Sequence, residues 1–420
     1  MTTSEEIALI KEKAAQFLNE QLDLIKDLVS VDSRAGRLTG NITAIERIEM
    51  ALAPLKARTE RLPAEDLGFH LIAKCGRLGA KRKILSLAHI DTLPTLSPPS
   101  QNPFRVEGNI AYGEGVADCK GGAAVLIYGT RLAIELGLVP KDTEFTLIFY
   151  SDEQLSSASS RQLIENEAQT AQMGFVFEPC EEEDEVVTAR RGTAYGFITV
   201  EAQTKSEGRE RQGGLTGGGV TGGTITASSS DANRALVGAI SDLYDFSDPW
   251  LGVGDGSLTG LGGGLAINVG LIAGGQKADE VAQKAQAKFF VSFADEWELW
   301  HINRALQSME IKNYVPGCRV SLALENTWPP FERDQNVEQL YRLYLDSALK
   351  LGYEAINEKS SYNPSAASWC SHYRLPTIDA LGPHMLGTRG RNESILISSL
   401  TKKTAIFAMV LNQIKELRFS

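Results

Sequence analysis

Acidic residues and one histidine stand where apolar segments of the sequence end. The segment "KILSLAHID" ends with His89 and Asp91, which share one face of a strand because side chains alternate across a strand. Asp118 lies in "YGEGVADCKGG", Glu153 follows "TLIFY", and Glu178 follows "GFVF". Imidazole and carboxylate groups are common zinc ligands, and Asp91 could accept a hydrogen bond from the second ring nitrogen of His89. The pattern therefore predicts a catalytic metal site.

Taken one at a time, these residues also have structural explanations. A histidine at a strand end is commonly a hydrogen-bonded structural residue, and Asp118 ahead of a helix is a natural N-cap. The glycines that follow Asp118 allow the backbone to approach whatever that residue holds. Acids at successive strand ends favour the metal site, because ligands of open α/β sheets bind at the carboxyl edge of the strands.

The elements that must position these residues read as alternating strands and helices. Apolar runs such as "FHLIAKC", "KILSLAHI", "EFTLIFY" and "GFVFEP" predict strands, and 121–138 and 159–172 predict helices between them. Several of these strands are too uniformly apolar to have a solvated face, which favours a mainly parallel sheet flanked by helices. The first part of the chain is therefore predicted to be an α/β domain.

The pattern of predicted strands and helices changes near Tyr195. A chain of 420 residues is too long for one core of ordinary size, so a second domain is expected. The segments "GFITVEAQT", "LAINVGLIAGG" and "AKFFVSFAD", with a helix from about Asp231 to Tyr244, predict a smaller α+β unit. The glycines within 213–223 lack the spacing of a phosphate-binding loop, and we interpret this stretch as a mobile loop.

Composition excludes several classes of protein. The net charge is −11 and the sequence contains no basic run, which argues against a nucleic-acid partner. The N-terminus alternates apolar and charged residues at helical spacing, so we expect no signal peptide, no membrane span and a cytoplasmic location. The five cysteines are widely spaced and odd in number, which argues against a disulfide framework.

Together the motifs resemble a known family, the co-catalytic zinc aminoacylases and exopeptidases of the acetylornithine deacetylase, succinyl-diaminopimelate desuccinylase and glutamate carboxypeptidase type. The resemblance covers nearly the whole chain and includes "ARRGTAYGFITV", "VGLIAGG" and "LPTIDALGP" besides the strand-end motifs. It implies a catalytic domain formed by 1–194 and 306–420, interrupted by a lid and dimerisation domain at 195–305. It also implies a small amino-acid-like substrate and a homodimer formed through the lid.

The resemblance assigns roles to the strand-end residues. Family members bind two zinc ions that share a carboxylate, which here would be Asp118. His89 and Glu178 would complete one zinc site, with Asp91 orienting His89. Glu153 matches the general base, which takes a proton from water and passes it to the leaving amine.

The second zinc site departs from the family pattern. Gln154 replaces a carboxylate ligand, and Arg389 stands where the family has a histidine ligand, three residues before Asn392. An arginine cannot ligate a cation because its guanidinium stays protonated. We therefore expect about one zinc per chain. Arg389 would supply a fixed positive charge to the altered site, which includes Gln154 and Asn392. In an alternative alignment Asp152 is the base and Glu153 a ligand, and His384 is a further candidate ligand.

Other departures concern substrate recognition. Gln212 replaces a lid histidine, Phe293 or a neighbour replaces a lid arginine that binds the substrate carboxylate, and "NPSAASWC" has alanine at an acid position of the family. Trp297 and Trp300 are spaced three apart on a predicted helix, and we expect them to be packing residues, with a lid aromatic near the substrate as the alternative.

Three hypotheses follow for function. The first is a zinc amidohydrolase or peptidase that cleaves the amide bond of an N-acyl amino acid or a small peptide. The second is a repurposed, metal-independent enzyme of this fold that forms or transfers an amide or ester bond. The third is a non-catalytic homologue that binds an amino-acid-like ligand or a partner protein. Zinc content and turnover distinguish them.

Overall fold

The chain forms two compact units. The computed structural model describes residues 3–94, 98–182, 184–203, 230–251, 265–278, 280–387, 390, 392–417 and 419. The first unit combines Met1–Arg190 with Phe331–Ser420, and the second is Arg191–Pro330. The glycine-rich stretch 213–223 lies outside the described residues. No described helix is both long and apolar enough to span a bilayer.

The N-terminal part of the first unit alternates helices and strands. In chain order its elements are α1 (Ser4–Gln16), α2 (Leu18–Val29), α3 (Leu38–Leu52), β1 (Arg58–Ala64), β2 (Gly68–Gly76), β3 (Arg82–His89), β4 (Arg105–Glu107), β5 (Ile110–Tyr112), α4 (Gly122–Glu135), β6 (Thr143–Tyr150), α5 (Arg161–Ala168), β7 (Met173–Val176) and β8 (Glu185–Arg190).

The remaining elements form the second unit and then complete the first. The second unit contains β9 (Gly192–Ala202), α6 (Ala232–Leu251), β10 (Ala266–Gly274), β11 (Lys284–Phe293), α7 (Glu296–Glu310) and β12 (Cys318–Trp328). The first unit continues with α8 (Gln335–Lys350), β13 (Asn357–Ser361), α9 (Ala366–His372), β14 (Thr377–Ile378), β15 (Met385–Leu386), β16 (Ser394–Leu396) and α10 (Ile397–Gln413).

The central sheet of the first unit has the strand order β1-β2-β6-β3-β7-β14. The pairs β6/β3, β3/β7 and β7/β14 are parallel, whereas β1/β2 and β2/β6 are antiparallel. Every residue of β6 is buried, as expected of a strand covered on both faces. The mainly parallel sheet flanked by helices is confirmed. Because β3, β6 and β7 run in the same direction, the residues that follow them meet at one edge.

Close packing of α4 against the sheet depends on a glycine. A Cβ atom on Gly122 would lie 1.9 Å from the carbonyl oxygen of Phe177, so a larger residue would push the start of α4 away from the end of β7. From the same side Phe407 of α10 contacts the ring of Phe177 edge-on, with the centroids 4.9 Å apart. This packing brings the loop before α4 next to Glu178.

The second unit is an antiparallel sheet of order β10-β11-β9-β12, with α6 and α7 packed against it. Strand β9 pairs with both β11 and β12, so the segment after α7 belongs to the same sheet. The predicted bounds 195–305 therefore differ from the observed unit, which starts at Arg191 and ends at Pro330. The predicted end at 305 falls inside α7. The sequence pattern did not reveal that β12, which follows α7, pairs with β9.

The interpretation of Trp297 and Trp300 as packing residues was wrong. Their exposed fractions are 56% and 55%, and both rings contact His301 on the same helix. The buried positions of α7 are Glu298, Ile302, Leu306 and Met309, which form the face that packs on the sheet. Positions 297 and 300 do not match the three- and four-residue spacing of these buried residues, so the two tryptophans lie off that face.

Candidate metal centre

His89 ends β3 and lies at the centre of the site. It is fully buried, its Nδ1 is 2.8 Å from the carbonyl oxygen of Asp91, and that nitrogen is 3.2 Å from Asp91 Oδ1. Asp91 also accepts hydrogen bonds from the backbone N–H groups of Glu153 at 3.2 Å and Gln154 at 2.9 Å. Asp91 therefore orients the imidazole and holds the loop that follows β6.

The other ring nitrogen of His89 faces two acids. Its Nε2 is 3.0 Å from Asp118 Oδ1 and 3.7 Å from Glu178 Oε1. Burial opposes protonation of His89, but Glu178, Asp118 and Asp91 together raise the His89 pKa well above its ordinary value. The structure thus brings together, at one sheet edge, the residues that the sequence predicted as ligands.

Glu178 shows why this cluster suits a cation. Its Oε1 is buried and accepts no hydrogen bond from the described residues. Burial raises the pKa of Glu178 to about 8, and Asp118, Glu153 and Asp379 add to this effect while His89 opposes it. A buried carboxylate oxygen without a donor is costly unless a cation compensates it. One imidazole nitrogen and two carboxylates form a donor set that fits a catalytic zinc ion, which leaves a position for water or substrate.

A thiol also lies near these donors. Cys119 Sγ is within 4.8 Å of ligand atoms of His89 and Glu178. It donates a hydrogen bond to the carbonyl oxygen of Phe177 at 2.8 Å, and burial raises its pKa well above the ordinary thiol value. Asp118 Oδ1 lies 3.0 Å from His89 Nε2, whereas the Cys119 thiol binds a backbone carbonyl oxygen, and this favours Asp118 over Cys119 as the third donor.

Glu153 lies in a half-buried turn directly after β6. Burial raises the pKa of Glu153 to about 7, and Asp91 adds to the effect, whereas His89, Ser157 and Tyr150 lower it. The Ser157 hydroxyl donates to Glu153 Oε2 at 2.9 Å and fixes the carboxylate. A carboxylate with a pKa near neutrality suits a general base.

Asp152 has a different environment from Glu153. Its Oδ2 accepts hydrogen bonds from the backbone N–H of Ser159 at 2.7 Å, the Ser159 hydroxyl at 2.8 Å and the N–H of Ser160 at 3.0 Å. Ser159 in turn contacts His70 Nε2 at 2.9 Å. Asp152 therefore stabilises the turn before α5, and this supports the alignment in which Glu153 is the base.

The residues predicted for the altered second metal site are only partly described. The backbone of Gln154 binds Asp91, and its side chain is half-buried. Arg389 lies outside the described residues. Asn392 is exposed. His384 Nε2 is 3.1 Å from the carbonyl oxygen of Glu181, an arrangement that does not place His384 with the predicted ligands.

Two buried acids near the site were missed in the sequence. Glu393 follows Asn392 and accepts hydrogen bonds from the loop that carries Asp118. Asp379 follows β14 and pairs with Arg190 Nε at 2.7 Å, and Ser365, in the turn with alanine at the family's acid position, donates to Asp379. Both acids follow short or irregular segments, so no apolar run marks them.

A small cavity of about 50 Å³ adjoins Glu178 in the first unit. Arg190 Nη1 donates to the Ser361 hydroxyl at 3.2 Å and to the carbonyl oxygen of Asn363 at 2.7 Å. The remaining lining residues are Pro179, Glu181, Glu185, Val187, Lys359, Ala380 and Met385.

Phe293 of the second unit, predicted to replace a substrate-binding arginine, is fully buried against Gly192 and belongs to a core rather than to a binding surface. Gln212 lies outside the described residues.

Comparisons with known proteins agree with this site. A family model described as Peptidase family M20/M25/M40 matches residues 85–413. Over 187 residues the chain is 32% identical to carboxypeptidase G2 of Pseudomonas sp. (strain RS-16), a match that covers 44% of this chain and 45% of that protein. The matched part thus spans less than half the length of this relative. The matches confirm the predicted family resemblance.

Solved structures share the fold at low identity. A dinuclear metal binding peptidase, the YXEP protein of Bacillus subtilis, has a TM-score of 0.67 at 13% identity, covering 96% of this chain and 99% of that one. The metallo-carboxypeptidase Sso-CP2 from Sulfolobus solfataricus has a TM-score of 0.62 at 16% identity, covering 95% and 100%. These similarities confirm the predicted fold class.

Proposed function

Because the chain belongs to Peptidase family M20/M25/M40, we propose that it is a metal-dependent hydrolase of peptide or amide bonds. The finer part of the proposal is that it cleaves an N-acyl amino acid or a small peptide with one zinc ion. His89, Asp118 and Glu178 would hold the zinc, Asp91 would orient His89, and Glu153 would be the general base. The observation that carries the proposal is the convergence of these ligand atoms around His89 Nε2, with Glu178 Oε1 buried and accepting no hydrogen bond from the part of the chain that the structure describes.

Separate residues of the chain would have separate roles in hydrolysis. A zinc ion held there supplies Lewis-acid chemistry, polarising the scissile carbonyl and lowering the pKa of water. Glu153 accepts a proton from the attacking water at its carboxylate and returns it to the leaving amine, which balances the two proton transfers. Ser157 holds the Glu153 carboxylate through its hydroxyl, and Asp91 holds the backbone of the same turn.

The choice of one zinc follows from the chemistry at position 154. A neutral amide replaces a carboxylate there, which lowers the affinity for a second cation because it contributes no negative charge. The sequence also has Arg389 where the family has the histidine ligand of the same second zinc site. Asp118 would then serve a single ion.

Metal analysis and turnover test this function together. Purified protein should contain about one zinc per chain and should hydrolyse members of a panel of N-acyl amino acids and dipeptides, with activity lost on chelation and restored by zinc. Zinc binding without turnover of any panel member would favour the non-catalytic homologue. Turnover that is insensitive to chelation would favour the metal-independent enzyme. Two zinc ions per chain would overturn the interpretation of Gln154.

The second unit is proposed to act as the lid and to form a homodimer. Strand β10 lies at one edge of the described sheet, and its Leu271 and Ile272 are 64% and 63% exposed. Exposed apolar residues on an edge strand favour pairing with another strand. Light scattering on the intact protein should give a dimer, and Ile272→Lys should shift it toward monomer, whereas Val237→Lys, at a 66% exposed position on α6, should not. A monomeric wild-type protein would refute the dimer.

A cytoplasmic location is also proposed, and cell fractionation tests it.

A further inference from the structure

The loop that carries Asp118 is held by a carboxylate from the far end of the chain. Glu393 is 1% exposed and precedes β16, which pairs with β5 just ahead of this loop. Its Oε1 accepts hydrogen bonds from the N–H groups of Ala117 at 2.9 Å and Asp118 at 3.0 Å, and its Oε2 accepts from Gly115 N–H at 3.0 Å. One buried carboxylate thus binds three amides of a single turn.

Other contacts restrict the same turn. The Gly113 N–H donates to the backbone oxygen of Glu393 at 3.2 Å, and the Lys120 N–H donates to the backbone oxygen of Gly115 at 3.1 Å. Gly115 has a φ of +74°, and a Cβ atom on it would lie 2.3 Å from Thr92 Cγ2. Lys120 is 2% exposed, and burial lowers its pKa to about 8 although the Glu393 and Glu114 carboxylates oppose this effect. These contacts hold the turn together, and the Glu393 side chain accepts three of its amide hydrogen bonds.

We propose that Glu393 is a positioning residue for the metal site, which acts through the amides of Ala117 and Asp118 to hold the Asp118 carboxylate against His89. The inference rests on the proposed function, because Asp118 is a ligand only if the site binds metal. Groups outside the ligand set that orient the ligands commonly contribute 10- to 100-fold to metal affinity. Glu393 meets that description, since it binds the backbone of a ligand and lies outside the ligand set itself.

Glu393→Gln is a close test of this role. The variant keeps the shape of the side chain but replaces one carboxylate oxygen with an NH₂ group, which cannot accept a hydrogen bond. At least one buried amide of the turn then faces a donor instead of an acceptor, which is costly. We expect the zinc affinity to fall about 10- to 100-fold. The turn should also exchange its amide hydrogens faster than in the wild type.

Glu144→Gln is the matched control. Glu144 is 5% exposed and accepts a hydrogen bond from the backbone N–H of Gly79, so it is also a buried glutamate bound to a backbone amide. It lies at the start of β6, at the opposite end of that strand from Glu153. Loss of its charge should lower the melting temperature without changing zinc affinity. Zinc affinity is measured by competition with a chromogenic chelator, well below the melting temperature of each variant.

The outcomes separate this inference from the proposed function. Weaker zinc binding in Glu393→Gln with unchanged binding in Glu144→Gln supports it, whereas unchanged binding in Glu393→Gln, or equal weakening in both, overturns it. If the wild type binds no zinc, the proposed function and the role of Glu393 at a metal site both fail, and hydrogen exchange of peptides covering 113–120 then decides only whether Glu393 holds this turn. Equal exchange in the two variants would then refute the role of Glu393. Should Glu393→Gln not fold, Glu393→Asp replaces it, because it keeps the charge but withdraws the carboxylate from the amides.

Discussion

Replacing Asp91 with asparagine tests how the site is held together. Asp91 Oδ1 lies 3.2 Å from His89 Nδ1 and accepts the Glu153 N–H, while its Oδ2 accepts the Gln154 N–H. An asparagine offers one acceptor oxygen, so its NH₂ group must face at least one of these donors. A hydrogen bond to a charged group contributes about 1.5–3 kcal/mol, and 1.4 kcal/mol is a factor of ten.

The Asp91→Asn change should lower zinc affinity and kcat to different extents. The carbonyl oxygen of Asp91 also accepts from His89 Nδ1 at 2.8 Å and survives the change, so we expect zinc affinity to fall by only about 10-fold. The turn with Glu153 has no such second support from Asp91, so kcat should fall more, by about 30- to 100-fold with zinc saturating. The assay measures zinc affinity by chelator competition and kcat and KM on a substrate identified with the panel.

Asp152→Asn is the matched control for this experiment. Asp152 is equally buried and accepts three hydrogen bonds from Ser159 and Ser160, but it does not contact His89. Its loss should lower the melting temperature and leave zinc affinity within about 3-fold of wild type. This role of Asp91 is refuted if Asp91→Asn keeps kcat within about 3-fold of wild type, or if Asp152→Asn weakens zinc binding as much as Asp91→Asn does.

Three further changes probe the base, the second metal site and the packing. Glu153→Gln should lower kcat by about 10²- to 10⁴-fold while bound zinc stays unchanged, which kinetics and elemental analysis measure together; retained turnover would remove Glu153 as the base. Gln154→Glu combined with Arg389→His should raise zinc from about one toward two ions per chain by elemental analysis, and an unchanged content would contradict the account of the second site. Gly122→Ala should lower stability by about 1–3 kcal/mol in urea unfolding because its Cβ would lie 1.9 Å from Phe177 oxygen, whereas Gly270→Ala, with its nearest contact at 3.6 Å, should be tolerated.

The strand-end motifs were predictable because they combine two local signals. Each follows an apolar run that forms a buried strand, and parallel strands place their carboxyl ends together. His89, Glu153 and Glu178 therefore meet without any long-range information beyond the direction of the sheet. The helix before which Asp118 lies was likewise visible from its apolar periodicity and the glycines at its start.

The supporting acids could not be predicted in the same way. The contact of Glu393 with Asp118 spans 275 residues and depends on the pairing of the three-residue strand β16 with β5. Asp379 follows β14, which has only two residues and lies beside β7. Such short strands have no periodicity to detect. The tryptophans of α7 show the related difficulty that a spacing of three residues fits both the buried and the exposed side of a helix.

The two kinds of buried acid at this sheet edge differ in how their charge is compensated. Asp379 has a guanidinium at 2.7 Å and a hydroxyl donor, the arrangement of a structural ion pair whose loss of one partner would be destabilising. Glu178, close to it, has a buried oxygen that accepts no hydrogen bond from the described residues, and it is 3.7 Å from the ring nitrogen of His89. Asp152 also has a buried oxygen without a donor, but its other oxygen accepts three hydrogen bonds from Ser159 and Ser160. The difference therefore favours a bound cation at Glu178 as the reason why its carboxylate is kept there.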